Sequence, residues 1–294
     1  MSRARSGATT ALRLLAADLR IRREAAGMSI AAAAEKLDVH PTTIRRLEAA
    51  RHTLKPATVA HLLTLYGTAP EEVARILTAL SQANQPGWWH EFRDLLTPEQ
   101  SDILDFESSA GLIRSYAPAL VPDLLQTEGY ARVLLRRHHP QDDAATLDRR
   151  IALLAARRRA AFERERPLRL WVLIEEAALH RPIGDPGVMR EQIAYLDALA
   201  ADRSSTRTVQ VMPLDAPTHP MLASGTVHVM RFEHPYLADR LVVSGLHQVA
   251  ATITDDIGAV RQYARALDLA CMAAPEPHTP VPTGPSLTQG DEQQ

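Results

Sequence analysis

The chain has 294 residues, of which 46% are hydrophobic and only 4% aromatic, so it is long enough for two domains. Ala and Leu take the place of aromatic residues, which favours helices. The single cysteine, Cys271, excludes a disulfide framework within one chain and fits a reducing cytoplasm. The sequence shows neither the apolar core of a secretory signal peptide nor an uncharged apolar run of the ~18–20 residues that a membrane span needs. We therefore expect a cytoplasmic protein with no membrane partner.

The net charge of −2 conceals an asymmetry along the chain. Residues 1–68 contain 11 Lys and Arg against 5 Asp and Glu, a balance of +6, whereas the remaining residues contain 22 against 30, a balance of −8. A basic first quarter joined to an acidic remainder indicates that the first part alone contacts nucleic acid. Charge by itself leaves open the alternative that arginines cluster by chance on solvated faces.

The chain opens with a small, polar segment at residues 1–10, which predicts a flexible N-terminus. Apolar residues then recur at helical spacing over residues 12–26, and Gly27 is a suitable C-terminal stop for this first helix. Ser29 suits the N-cap of a second helix that ends near Leu37. The spacing therefore predicts two consecutive helices separated by a short connection.

A third helix is predicted to begin at Pro41, because proline is favoured in the first turn of a helix. Asp38 can take the tight turn before it, since Asp tolerates left-handed backbone better than most residues. Val39, Ile44 and Leu47 form the apolar side of the third helix and of its approach. Two short helices joined by a tight turn are typical of a helix-turn-helix, whose second helix enters the DNA major groove.

Two further helices complete the predicted N-terminal domain. The fourth follows Pro56 and ends at Gly67, and Thr68 caps the fifth. The break at residues 85–87, Gln-Pro-Gly, marks the domain boundary. The sequence therefore predicts a five-helix, DNA-binding domain over residues 11–85.

The polar side of the third helix carries the groups that a recognition helix needs. Thr42, Thr43, Arg45 and Arg46 project from it, and Arg pairs bidentately with guanine O6 and N7 while a Thr methyl group contacts thymine. His40 lies at the helix N-terminus, where a phosphate is favoured. These residues predict contacts to both bases and phosphates.

Over about residues 12–80 the chain resembles the helix-turn-helix regulators of the Xre/Cro type. The matching residues are Ser29, Ala34, Leu37, Val39, Ile44, Leu47, Glu48 and Arg51. The resemblance implies that Pro41, Thr42 and Arg46 read bases, and that His40 contacts a phosphate. It places Arg45 in a more peripheral position.

Three residues depart from the pattern of that family. Ile30 stands where the family often has a Gln that braces the recognition helix and touches DNA, so one polar contact is lost and a reduced DNA affinity is expected. Asp38 replaces the glycine of the turn, and Ala50 replaces the glycine after the recognition helix. We expect these last two to be conservative for backbone geometry.

The second domain is predicted to be mixed α+β, so the fold class is mainly α with an α+β second domain. Residues 88–165 read as helical, interrupted at Pro118 and Pro122. The later predicted elements are strands at 168–174, 207–212, 226–232 and 240–243 and helices at 186–201 and 255–273. The domain therefore covers residues 88–273, and the proline-rich residues 274–294 predict a disordered tail.

Over about residues 88–272 this domain resembles the uncharacterised domain that follows the helix-turn-helix in many actinobacterial regulators, described as antitoxin-like. Its most specific stretch is Leu124-Leu125-Gln126-Thr127, supported by Trp88-Trp89 and by Tyr130-Ala131. The resemblance implies a domain for assembly, partner binding or effector sensing, with no established reaction. Small partner proteins encoded nearby are frequent in such systems. The Tyr and Glu usual in the late strand are absent around residues 242–246.

A metal or catalytic site has weaker support in the sequence. The candidate metal ligands cluster late in the chain and are His219, His228, Glu233, His234, Asp239 and His247. No HExxH motif or paired cysteines accompany them, so structural roles are favoured. Glu175 and Glu176 end a predicted strand, so at most one faces a cleft, and the start of a helix explains them better than acid–base catalysis.

The remaining conspicuous residues also favour ordinary roles. Cys271 is expected in a core. Trp88-Trp89 is expected to anchor one domain on the next rather than to stack a ligand. Arg157–Arg159 is expected on a solvated helix face rather than in a phosphate-binding site.

The sequence thus predicts a cytoplasmic, sequence-specific transcriptional regulator that is not an enzyme and uses no metal or cofactor. It is expected to bind double-stranded DNA as a homodimer, with recognition helices one helical turn apart. Arg51, Lys55 and His40 would hold phosphates, while Thr42, Thr43 and Arg46 would read bases. A small partner protein and a small-molecule effector are further candidate partners. The alternative is a helix-turn-helix scaffold repurposed as a small-molecule-binding protein or an enzyme of a biosynthetic pathway.

Overall fold

The computed structural model describes residues 9–50, 54–84, 87–233, 237–244 and 251–282. The chain forms two compact units, of which the first extends to His90 and also takes in Gln100–Ser109. The first unit is helical, and the second contains a six-stranded sheet with helices. This arrangement confirms the predicted fold class. Among the described residues, no helix combines the length and the apolar character needed to cross a membrane.

The N-terminal helices follow the predicted order closely. They are α1 (Thr10–Ala25), α2 (Ile30–Lys36), α3 (Pro41–Glu48), α4 (Pro56–Leu65) and α5 (Pro70–Ala83). The Ser29 hydroxyl caps α2 by accepting a hydrogen bond from the Ala32 amide at 3.1 Å. Gly27 and Gly67 end α1 and α4 with φ of 63° and 76°, a left-handed conformation that costs glycine little. The predicted stop and cap signals therefore set the observed helix boundaries.

One apolar core joins these helices. It is formed by Leu12, Ala16 and Leu19 of α1, Ala33 and Ala34 of α2, Ile44 and Leu47 of α3, Val59, Leu62 and Leu63 of α4, and Ile76 and Leu80 of α5. The spacing of three and four residues along each helix puts these side chains on a single face. The polar faces are thereby left to solvent, which is the arrangement that a DNA-binding helix requires.

A further helix, α6 (Pro98–Ser109), attaches to the start of α1. The buried Asp105 carboxylate accepts hydrogen bonds from the Thr10 amide at 2.6 Å and from the Thr10 hydroxyl at 2.5 Å. Burial raises the pKa of Asp105 in spite of these bonds. The Trp88 indole N–H donates to the Ser108 hydroxyl at 3.1 Å, so this tryptophan is held by α6.

The second unit is built on a sheet of order β3-β2-β1-β4-β5-β6. Its strands are β1 (Leu112–Ala117), β2 (Arg169–Glu175), β3 (Arg207–Met212), β4 (Thr226–Arg231), β5 (Arg240–Ser244) and β6 (Ala251–Thr254). Its helices are α7 (Glu128–His138), α8 (Ala144–Phe162), α9 (Glu176–His180), α10 (Pro186–Ala201) and α11 (Ile257–Ala273). Strands β1, β2 and β3 are parallel, whereas β4, β5 and β6 run antiparallel to their neighbours.

The two faces of the sheet have different partners. Tyr116 belongs to the face that packs on α11 through Val260 and Leu267. Side chains alternate along a strand, so the neighbouring Ser115 points to the opposite face. There Ser115 lies beside His228 of β4, and the two side chains are hydrogen-bonded at 2.8 Å.

The Leu-Leu-Gln-Thr stretch singled out in the sequence is fixed by a buried amide. Gln192 of α10 is fully buried, and it accepts a hydrogen bond from the Thr127 amide at 2.7 Å and donates one to the Leu125 carbonyl at 2.8 Å. Gln126 donates to the Val121 carbonyl at 2.8 Å. These bonds satisfy backbone groups that would otherwise be buried without partners, which explains why specific amide residues stand there.

The prediction that residues 88–165 are helical is wrong at β1. This strand pairs with β2 on one side and β4 on the other, so it lies in the middle of the sheet. Both of its faces are covered, which removes the alternation by which an exposed strand is recognised. Strand β6 was not predicted either.

Residues 274–282, from which a disordered tail was expected to begin, contact α10. The Val281 side chain is buried, and its amide donates to the Asp197 carboxylate at 3.0 Å. The His278 ring lies 2.9 Å from the Ala200 carbonyl oxygen. Specific contacts thus hold a segment whose composition alone suggested disorder.

Candidate nucleic-acid interface

The connection between α2 and α3 is a tight turn of the helix-turn-helix kind. Asp38 adopts the left-handed conformation with φ of 51°, and the Val39 amide returns to the Ala34 carbonyl at 3.0 Å. Ala33 and Ala34 are fully buried, so this side of α2 packs into the core of the first unit. The sequence-based role of Asp38 is therefore observed.

Helix α3 docks through one face and exposes the other. Ile44 and Leu47 are buried in the core. Because successive residues are rotated by about 100° along a helix, Thr42, Arg45 and Arg46 lie on the side away from these two. All three are exposed. The geometry therefore presents one hydroxyl and two guanidinium groups on a single outward face.

His40 is the N-cap of α3. Its Nδ1 atom accepts a hydrogen bond from the Thr42 amide at 3.3 Å and lies 2.9 Å from the Thr42 hydroxyl oxygen. An accepting Nδ1 places the proton of the neutral ring on Nε2, the other nitrogen. His40 is exposed, so its Nε2–H group is suited to donate to a phosphate.

The other candidate contacts differ in accessibility. Pro41 and Thr43 are half-buried, whereas Lys55 is exposed at the N-cap position of α4. Arg51 lies outside the described residues. Within the described part of the chain, neither Arg45 nor Arg46 forms an ion pair, so both guanidinium groups keep their donors for an external partner.

A buried ion pair fixes the far end of α3. Arg23 of α1 donates from Nε to Glu48 Oε1 at 2.7 Å and from Nη2 to Glu48 Oε2 at 3.0 Å. Its Nη1 atom donates to the Met28 carbonyl at 2.8 Å, just before α2. The bidentate bond to Glu48 raises the pKa of the Arg23 guanidinium. One side chain thus joins α1 to α3 and to the segment that precedes α2.

This ion pair was not predicted from the sequence, although a signal for it exists. Leu12, Ala16 and Leu19 continue at helical spacing to Arg23, which places that arginine on the buried face of α1. A charge on a buried face needs a partner, and Glu48 stands on the adjacent helix. Tyr66 lies beside the pair, and burial raises its pKa to about 12.

Two of the departures from the helix-turn-helix pattern have visible consequences. Ile30 is half-buried and packs against the core of the first unit, so it contributes apolar contact where the family often has a polar side chain. Ala50 has φ of 53°, in the left-handed region. Ala50 therefore keeps the backbone geometry that glycine would adopt, as expected, but at the cost of a strained side chain.

The late histidines do not converge in the described part of the chain. His228 is bonded to Ser115 on one face of the sheet, whereas His219 lies 5.8 Å from the ring of Tyr116, which belongs to the other face. Asp239 contacts Arg231 at 3.3 Å, and Glu233 lies 3.9 Å from Arg166. His234 and His247 are outside the described residues. Cys271 is half-buried against the α11 core, and burial raises its pKa.

A polar cluster lies where β1 and β2 end side by side. Glu175 Oε1 accepts hydrogen bonds from the Tyr116 hydroxyl at 2.8 Å and from His219 Nε2 at 3.0 Å. His219 Nδ1 is buried and has no hydrogen-bond partner among the described residues. The adjacent Glu176 instead accepts from the Leu214 amide at 2.9 Å and contacts His180 at 2.9 Å, which lowers the pKa of Glu176. The two carboxylates therefore have separate partners, Glu175 on the Tyr116 and His219 side and Glu176 at the start of α9.

Comparison with known proteins identifies both parts of the chain. Residues 14–76 match a family model described as a helix-turn-helix domain, which confirms the prediction of this motif. Residues 100–279, more than half of the chain, match the model of a domain of unknown function, DUF5753. No curated protein and no solved structure gives a significant match. The helix-turn-helix domain is of the DNA-binding kind.

Proposed function

Because the chain belongs to the DUF5753 family and carries a helix-turn-helix domain, we propose that it is a sequence-specific transcriptional regulator of the Xre type. The observation that carries this proposal is the outward face of α3. Thr42, Arg45 and Arg46 are exposed together on a helix whose opposite face is fixed in the core. Such a helix can enter the major groove without rearrangement of the domain.

The division of labour follows from the position of each side chain. Arg46 and Thr42 stand one turn apart and read base edges, with Thr43 and Pro41 at the margin of the same surface. His40 and Lys55 lie at the N-termini of α3 and α4 and hold phosphates on either side of the groove. Arg51, between α3 and α4 in sequence, is assigned to the same phosphate-binding group.

The assembled regulator is proposed to be a homodimer, because a single α3 covers too few bases for a specific site. Two recognition helices would then meet two half-sites one helical turn apart. The DUF5753 domain is proposed to bind a small partner protein or a small-molecule effector, as in the antitoxin-like regulators that the sequence resembles.

Titration of mixed-sequence duplex DNA by fluorescence anisotropy tests DNA binding by α3. Phosphate neutralisation releases counterions, so the affinity is expected to fall steeply as salt is raised. Arg46→Ala is expected to weaken binding, whereas Arg75→Ala removes the same charge from a side chain 76% exposed on α5 and serves as the matched control. A flat salt response, or equal losses in the two variants, would contradict the proposal.

One observation favours a second candidate, a small-molecule-binding protein or enzyme that keeps the helix-turn-helix as a scaffold. Glu175 holds His219 so that its Nδ1 lone pair is free, which is how a carboxylate orients a general base. We rank this candidate below the regulator, since the exposed cationic face of α3 has no use in it. A protein that binds no duplex DNA at low salt would reverse that order.

A further inference from the structure

The three consecutive arginines of α8 lie in three different environments. Arg157 Nη1 donates to the Asp123 carboxylate at 2.9 Å, and Arg159 is exposed. Arg158 is half-buried and forms no hydrogen bond or ion pair within the described residues. The expectation that the whole run is a solvated helix face is therefore wrong at Arg157, whose side chain is 16% exposed, and at Arg158.

The edge of Arg158 that is shut off from solvent carries two donors. Its Nε and Nη2 atoms are buried without hydrogen-bond partners. Burial lowers the pKa of Arg158, and the positive charge of Arg157 lowers it further. Cationic donors that are buried without acceptors are costly, and each such group in a native fold calls for an explanation.

The geometry of that edge indicates what it suits. The N–H groups of Nε and Nη2 are parallel, and they match the two oxygens of a carboxylate or phosphate. Arg23 uses the same two atoms to hold the oxygens of Glu48 at 2.7 and 3.0 Å. In Arg23 this edge of the guanidinium is therefore bound to a carboxylate of the protein, whereas the equivalent edge of Arg158 has no hydrogen-bond partner among the described residues.

The acceptors around Arg158 are engaged elsewhere. Tyr195, Asp123 and Glu128 favour its charge electrostatically, but the Asp123 carboxylate is already bound to Arg157 and the Glu128 carboxylate to Arg132. Tyr195 accepts a hydrogen bond from Arg207 Nη1 at 3.2 Å, which leaves its own hydroxyl proton to donate. The nearby carboxylates thus pair with other arginines, and no acceptor among the described residues fills the Nε and Nη2 edge of Arg158.

We propose that Arg158 anchors a binding site for the oxyanion of a small molecule, a carboxylate or a phosphate, beside Tyr195 in the DUF5753 domain. The Nε and Nη2 atoms of Arg158 hold two oxygens of the ligand, and the Tyr195 hydroxyl donates to one of them. That the bound ligand acts as an effector rests on the proposed regulatory function, whereas the binding of an oxyanion at Arg158 does not.

Isothermal titration of the full-length protein with inorganic phosphate, and separately with acetate, tests the site in the absence of DNA. The wild-type protein is expected to show saturable binding of at least one of these probes. Arg158→Gln is expected to weaken it by about tenfold or more, because two charge-assisted hydrogen bonds are lost. Arg159→Gln removes the same charge from the exposed neighbour and is expected to bind as the wild type does.

Thermal unfolding with and without phosphate provides the second measurement. Phosphate stabilises proteins generally and without saturation, so the difference between the Arg158 and Arg159 variants is the quantity of interest. Arg158→Met is expected to raise the melting temperature without phosphate, since an unpaired cation leaves the interior, and to lose the saturable response. Equal responses in the two glutamine variants, or no saturable binding of either probe by the wild type, would overturn the proposal. Loss of DNA binding alone would leave it standing.

Discussion

The buried ion pair between Arg23 and Glu48 gives the sharpest stability prediction for the helix-turn-helix domain. Its two hydrogen bonds measure 2.7 and 3.0 Å, and the side chains are only 8% and 4% exposed. Glu48→Gln keeps the shape of the side chain but removes the charge. Arg23 is then a buried cation that faces a neutral amide, with one acceptor oxygen in place of the two carboxylate oxygens.

The expected cost follows from the burial of the pair. Removing one partner of a buried ion pair costs about 3–5 kcal/mol. The introduced amide oxygen still accepts one hydrogen bond, so we expect a loss of about 3 kcal/mol in the free energy of unfolding. A domain of about 75 residues has roughly 4–11 kcal/mol in total, so the variant is expected to fold with much reduced stability.

Native-state hydrogen exchange of amides in α1 and α3 of the full-length protein measures this loss. Glu24→Gln is the matched control, because Glu24 contacts the same arginine at 3.4 Å but is 56% exposed. Exposed pairs contribute less than about 1 kcal/mol, so protection is expected to change little in the control. The double variant Arg23→Met with Glu48→Leu is expected to recover most of the stability. Equal losses in the two Gln variants would refute the reasoning.

Three further predictions concern other parts of the fold. Ala50→Gly is expected to stabilise the first unit by about 0.5–1 kcal/mol by relieving the left-handed strain, and Ala49→Gly to destabilise it, as measured by hydrogen exchange in α3. Burial lowers the pKa of His228 to about 4, so the stability that it contributes above its ordinary pKa is lost as the pH falls from about 6.5 towards 4. Urea unfolding at pH 7 and pH 5 is expected to show a smaller acid loss in His228→Gln than in the wild type, and identical losses would contradict this. Gln192→Leu leaves two buried backbone groups without partners and is expected to lower the free energy of urea unfolding by about 2–4 kcal/mol, an effect that a change below 1 kcal/mol would exclude.

The helix-turn-helix could be predicted from local signals because its determinants are local. Ser29, Pro41, Gly27 and Gly67 act within one turn of the backbone that they shape, and each lies at a predicted helix boundary. The outward direction of Arg46 follows from the buried positions of its helix neighbours. These parts of the site require only helical periodicity and the chemistry of caps.

The rest depended on contacts between residues distant in sequence. Strand β1 is recognisable only once β2 and β4 enclose it. Arg158 differs from Arg157 and Arg159 because of what packs around it, which a run of three identical letters does not encode. Ala50 shows the same limit on a smaller scale. The surrounding motif imposes the left-handed backbone at this position, so the residue type alone does not reveal it.

Selection of binding sites from a random DNA library, carried out in parallel with the wild-type protein and Arg46→Ala, tests most directly whether α3 reads sequence. The wild type is expected to enrich a defined motif, and the variant to lose base preference at one position of it, with a cost of about 1–3 kcal/mol there. Failure of the wild type to enrich any sequence, or an identical motif from both proteins, would contradict the assignment of this helix to base recognition.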